Sequence, residues 1–139
     1  MKHFLLAALL STFAFSAQAE FQPLSKSTTS WDGQDIVYPQ GEEEVTAIKL
    51  TLPAGEQLPF HCHPYSTVGI VSAGEIEVEK LNGEKKKFAA GDTIVEVANT
   101  WHRGTNTSKE TAELVGFYIG IKDKPNTVMM DEKNKDLCK

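Results

Sequence analysis

The chain has 139 residues, 40% hydrophobic and 24% charged, with 19 acids against 14 bases and a formal net charge of −5. That length holds one domain at most, and the composition excludes disorder and fibrous repeats. The acid excess argues against nucleic acid as a partner, and two cysteines are too few for a disulfide-dense scaffold.

Residues 1–19 (MKHFLLAALLSTFAFSAQA) read as a cleaved export signal. Lys2 gives a positive start, Phe4 to Phe15 an apolar run broken only by Ser11 and Thr12, and Ala17-Gln18-Ala19 a small-x-small cleavage pattern. An uncleaved amphipathic helix fits less well, because the run is apolar all round. It is also shorter than the ~20 residues that cross a bilayer. Glu20, not a cysteine, stands directly after the cleavage site and no later run is long enough to span, so no membrane anchor is expected. The expected location is periplasmic or secreted. Cleavage leaves residues 20–139, a chain of 120 residues with three histidines, and the loss of Lys2 takes the charge to −6.

No helical period longer than two turns follows. Short β-rich runs punctuated by Gly, Pro and Asn predict an all-β fold, a single jelly-roll or small β-barrel domain over 20–122 with a polar tail at 123–139. Residues 20–30 read as an extended lead-in or edge strand. Strands are predicted at Ile36–Tyr38, Val45–Leu52, Pro59–Pro64, Ser66–Ser72, Glu75–Glu79, Lys85–Ala89, Thr93–Val97, Thr100–Thr105 and Glu113–Ile121. Strict alternation turns Ile76 and Val78 inward. Asn82-Gly83 is a hairpin signal whose two residues are expected at positive φ. The tail reads as a surface extension, with a short terminal helix as the alternative.

The chemistry concentrates on His61-Cys62-His63. Along a strand, His61 and His63 share one face and Cys62 takes the other. Two imidazoles so placed are a bidentate pair for a divalent metal, although two surface histidines near a turn would look the same. Gly55 stands six residues before His61, and Gly74 eleven after His63. Gly91, His102 and Asn106 form a second group.

This arrangement resembles the cupin superfamily, whose motifs are G-x5-H-x-H-x3,4-E-x6-G and G-x5-P-x-G-x2-H-x3-N. Gly55, His61, His63 and Gly74 match the first, and Gly91, His102 and Asn106 the second. The resemblance implies a cupin jelly-roll β-barrel and a divalent metal (Fe, Zn, Mn, Ni or Cu) held by His61, His63 and His102. It also implies a small-molecule ligand or substrate and a homodimer through outer strands. Asn106 is implied to be structural.

There are departures from the family pattern. Thr67 stands where the first motif has Glu, while Val97 and Asn99 replace Pro and Gly of the second. Asn tolerates positive φ, so that turn is expected to survive. Similar three-histidine sites occur among cupin dioxygenases acting on thiols, β-diketones or hydroxybenzoates. Glu96, in an otherwise apolar strand, is the candidate catalytic residue, as a general base, and a substitute fourth ligand; a solvent-facing Glu96 on a sheet edge is the competing reading. The expected function is a small-molecule dioxygenase, lyase or isomerase. A non-catalytic periplasmic binder and a metal-free cupin are the alternatives.

Cys62 is read as a small buried apolar residue, with a disulfide to Cys138 as the rival reading. Strand parity selects Gln57, Thr67, Gly69, Val71, Thr100 and Gly104 as inward-facing. Phe60, Tyr65, Trp101, Arg103, Phe117 and Tyr118 are candidates for a pocket mouth, against ordinary core packing. The Asn106-Thr107-Ser108 sequon is too short a match to carry weight.

Overall fold

The structure is a computed structural model that describes residues 18–138. The export-signal reading therefore falls mostly outside the described residues. Among the described residues nine strands are present: β1 Glu43–Leu52, β2 His61–Cys62, β3 Thr67–Ala73, β4 Glu75–Lys80, β5 Lys85–Ala89, β6 Thr93–Val95, β7 His102–Asn106, β8 Ala112–Ile121 and β9 Val128–Met129. They form two antiparallel sheets, β1-β8-β3-β6 and β5-β4-β7-β2-β9. All-β holds, but the expected closed barrel does not. Among the described residues no ladder joins the two sheets, and the chain crosses between them at sharp turns.

One such corner is Gly74, between β3 and β4. Its φ is +72°, and a Cβ there would meet the Ala112 Cα at 2.8 Å, so only glycine fits both the conformation and the space. The substituted turn before His102 survives in the expected way, since Asn99 adopts φ +51°. The β4–β5 hairpin differs from expectation, because only Gly83 has positive φ. The Gly83 N–H donates to the Lys80 carbonyl at 2.9 Å, and Lys80 N–H to Glu84 at 2.8 Å. This is a longer loop with a single left-handed residue, which asks less of Asn82 than a two-residue turn would.

Alternation places the core as predicted. Ile76 and Val78 are buried together with Leu52, Val71, Phe88, Ile94 and Ala112, and Leu50, Leu58 and Leu114 pack against them. Ile36–Tyr38 is not a strand: Val37 and Tyr38 lie 71% and 69% exposed, and no strand among the described residues pairs with them. Around it, residues 28–36 fold back on themselves (Ser30 N–H to Gln34, Ile36 N–H to Thr28) and dock through a buried Asp32–Lys80 ion pair at 2.7 Å. The ninth strand comes from the tail instead. Val128 and Met129 pair with Cys62 and His61, and the Met130 N–H donates to the Phe60 carbonyl. The tail is thus neither a free extension nor, among the described residues, a helix.

Candidate metal centre

Pro59 and Pro64 lack N–H donors, and the extended run between them pairs at His61 and Cys62, with an isolated bridge from His63 to Ala98. That short pairing sets His61 directly opposite His102 of β7. His63, two residues on, returns to the same face as His61. One ring nitrogen from each of His61, His63 and His102 lies within 4.8 Å of the others. The ring centroids are 5.1, 4.6 and 5.1 Å apart. The three predicted ligands are therefore brought together.

Backbone carbonyls hold all three rings. His61 Nδ1–H donates to Pro59 at 2.9 Å, His63 Nδ1–H to Asn126 at 3.0 Å, and His102 Nδ1–H to Thr100 at 2.8 Å. A carbonyl only accepts, so each Nδ1 carries the proton and each Nε2 keeps its lone pair. Burial lowers all three imidazoles from their ordinary range, with the neighbouring His102 adding to the effect on His61 and His63; His63 falls to about 3. Neutral rings with a fixed tautomer are what a divalent ion requires of histidine ligands.

Glu96 turns inward, its side chain only 14% exposed, and lines the same cavity as the histidines. Its backbone N–H donates to the Thr67 carbonyl at 2.8 Å. The carboxylate thus enters from the position hydrogen-bonded to the one where the first motif has Glu. Thr67 itself is buried, and its hydroxyl turns to the Tyr65 carbonyl. Glu96 Oε2 lies 3.8 Å from His102 Nε2, and neither atom has a hydrogen-bond partner. At that distance, beside an imidazole held neutral, this is not an ion pair. Burial pushes the Glu96 carboxyl up to about 7, partly offset by His61. Two unpartnered buried polar atoms facing each other are costly unless something else binds both. A divalent cation fits that requirement.

The cavity has a volume of about 220 Å³. Of the residues proposed for a pocket mouth only Tyr118 lines it, its ring 5.3 Å from that of His63. Trp101 is buried core whose indole N–H donates to Lys135. Phe60 lies under the Arg103 guanidinium at 4.6 Å, and Phe117 faces outward. Among the parity-selected positions Gly104 lines the cavity and Val71 is core. Gln57 is instead exposed, bonded to Thr105 and Arg103.

The sequence reading missed the tail. Asn126 supplies the carbonyl that orients His63. The Thr127 hydroxyl lies 3.3 Å from the same nitrogen, and Thr127 and Met129 line the cavity. Cys62, fully buried and facing away from the histidines, is disulfide-bonded to Cys138. Both readings of Cys62 thus hold a part of the outcome.

The cupin domain family matches residues 48–118, about half of the chain. No curated protein matches it. Among solved structures, an oxalate oxidase in complex with glycolate is 24% identical, with a TM-score of 0.54 over 62% of this chain and 46% of that one. The DMSP lyase DddQ from Ruegeria pomeroyi is 22% identical, with a TM-score of 0.52 over 62% and 43%. A conserved protein with a double-stranded β-helix domain from Klebsiella pneumoniae is 18% identical, with a TM-score of 0.54 over 70% and 91%. The chain spans less than half the length of the first two. At these identities the likeness establishes the fold alone.

Proposed function

Because the chain belongs to the cupin domain family, we propose that it is an exported metalloprotein that binds a divalent ion through His61, His63 and His102 and acts on a small molecule with Glu96 as acid or base. The observation that carries this reading is the pair of buried, unpartnered atoms, His102 Nε2 and Glu96 Oε2, 3.8 Å apart on one cavity wall. A bound ion would supply Lewis-acid polarisation of a substrate atom. The chain's own residues do the rest. Three imidazoles present their Nε2 lone pairs from rings locked by Pro59, Asn126 and Thr100. Glu96 stands beside them to take or give a proton at its unbonded Oε2. Aliphatic side chains line the rest of the cavity.

Two features support an extracytoplasmic place: the signal-like residues 1–19 and the Cys62–Cys138 disulfide, which persists in an oxidising compartment. Elemental analysis of protein purified from its own compartment tests the metal. One equivalent of a divalent ion is expected, and its absence would overturn the reading. Replacing Glu96 by Gln should keep that equivalent and stop turnover.

A further inference from the structure

The cavity has two unlike ends. His61, His63, His102, Glu96, Tyr118 and Thr127 gather at one of them, as the ring spacings and the contacts of Glu96 and Thr127 require. The other end is hydrocarbon. Leu50, Leu58, Ile76, Val78, Ile94 and Leu114 line it, and all belong to or pack on the central apolar core. No lysine or arginine is among the lining residues. The nearest base in sequence, Arg103, faces away from the cavity, its guanidinium bonded to Glu79 and Gln57.

A substrate with two charged ends would meet a cation only at the metal, and its second charge would lie against aliphatic side chains with nothing to pair it. A substrate with one polar head and an apolar body would satisfy both ends. Size sets the upper limit. An apolar cavity of about 150 Å³ holds benzene, so about 220 Å³ holds on the order of nine non-hydrogen atoms.

Resting on the metal site proposed above, we propose that the cavity selects one-headed substrates: small molecules with a single metal-binding polar group and a compact hydrocarbon body, dicarboxylates being excluded. Gly104 is then a size-setting position. It lies two residues beyond His102 on the same face of β7 and lines the cavity. A Cβ added there would meet Ile76 at 3.6 Å and Leu58 at 3.7 Å, which is ordinary contact. An alanine therefore fits the fold while taking space from the hydrocarbon end.

The test uses the full protein loaded with cobalt(II), whose visible spectrum reports bound metal before any ligand is added. Acetohydroxamate, butanohydroxamate, hexanohydroxamate and the monohydroxamate of succinic acid, which has as many non-hydrogen atoms as hexanohydroxamate, are then titrated in. Affinity should rise roughly fourfold per added methylene. The carboxylate-ended probe of equal size should bind on the order of a hundredfold more weakly than hexanohydroxamate. Gly104→Ala should keep its cobalt and its acetohydroxamate affinity and lose about tenfold for hexanohydroxamate. A flat or falling series, equal binding of the carboxylate-ended probe, or an unchanged Gly104→Ala profile would overturn the substrate class while the cobalt spectrum leaves the metal site standing. Absence of the cobalt spectrum would overturn the metal site and this inference with it.

Discussion

Strand β7 carries two buried polar side chains on one face, His102 and Asn106, and they are opposites. Asn106 is saturated. Its Nδ2 donates to the carbonyls of Leu52, Pro53 and Glu110 at 2.9, 3.0 and 2.8 Å, and its Oδ1 accepts from the Ser108 N–H and hydroxyl at 2.8 and 2.7 Å. His102, 2% exposed, has one nitrogen bonded to Thr100 and the other bonded to nothing, with the orphaned Glu96 oxygen facing it. Four residues separate a polar group that uses all its capacity to hold loops together from one that holds capacity in reserve. Satisfied burial is structural, whereas unsatisfied burial costs stability and persists where a ligand completes it.

The largest expected effect breaks the reserved end. His102→Ala removes one of three ligands and should weaken divalent-metal affinity by on the order of a thousandfold, so that the purified variant carries no stoichiometric metal. It should still fold, because the ring's one protein bond goes to a loop carbonyl. Metal content measured beside the melting curve checks both halves. Asn106→Ala should do the reverse. It orphans three carbonyls and the Ser108 N–H, at a cost of about 3–4 kcal/mol, while metal stoichiometry below the lowered melting temperature stays at one. If both variants lost metal and stability together, the contrast between the two ends would fail.

Much of this was legible in the sequence because it is local or periodic. Strand parity put His61 and His63 on one face, and the spacing from Gly91 put His102 at ligand position. Alternation in Glu75–Glu79 named Ile76 and Val78 as core. What was not legible is non-local. Nine strands were expected and nine are present among the described residues, but the set differs. Ile36–Tyr38 has the composition of a strand and no partner, while Val128–Met129 has too few residues to signal a strand and gains one beside β2. Glu96 could be placed only by knowing what lies across from Thr67. The closure of the fold into two separate sheets depends on crossings whose geometry no single segment encodes.

The tail joins the two kinds of burial, since it is stapled at Cys62–Cys138 and orients His63 through Asn126. Cys138→Ser opens a loop closed across 76 residues and should cost about 3 kcal/mol. Loosening the carbonyl behind a ligand histidine should also lower metal affinity about tenfold. Reduction of the disulfide in the natural protein should reproduce both shifts, read by thermal unfolding and a metal-chelator competition. A loss of stability with unchanged affinity would confine the tail to a structural role.

The smallest effect bears on Glu96, and its sign is distinctive. In the metal-free protein the folded carboxyl titrates near 7, above the 4.5 of an ordinary Glu. A raised carboxyl leaves the folded state undisturbed below about pH 4.5, where it is protonated in both states, and destabilises it progressively as pH rises through 7. Removing the charge should therefore help at high pH and do nothing at low pH. Glu96→Gln, metal-free, should melt higher than the parent at pH 8 by the equivalent of about 2 kcal/mol. This is less than the full shift implies, because the side chain remains 14% exposed. The two curves should converge near pH 4.5. With metal bound the gain should shrink or reverse, since the cation then supplies the partner that Glu96 lacks. A Glu96→Gln variant less stable than the parent at pH 8 without metal would mean that this carboxylate is satisfied after all, and would put it with Asn106 on the structural side of the comparison.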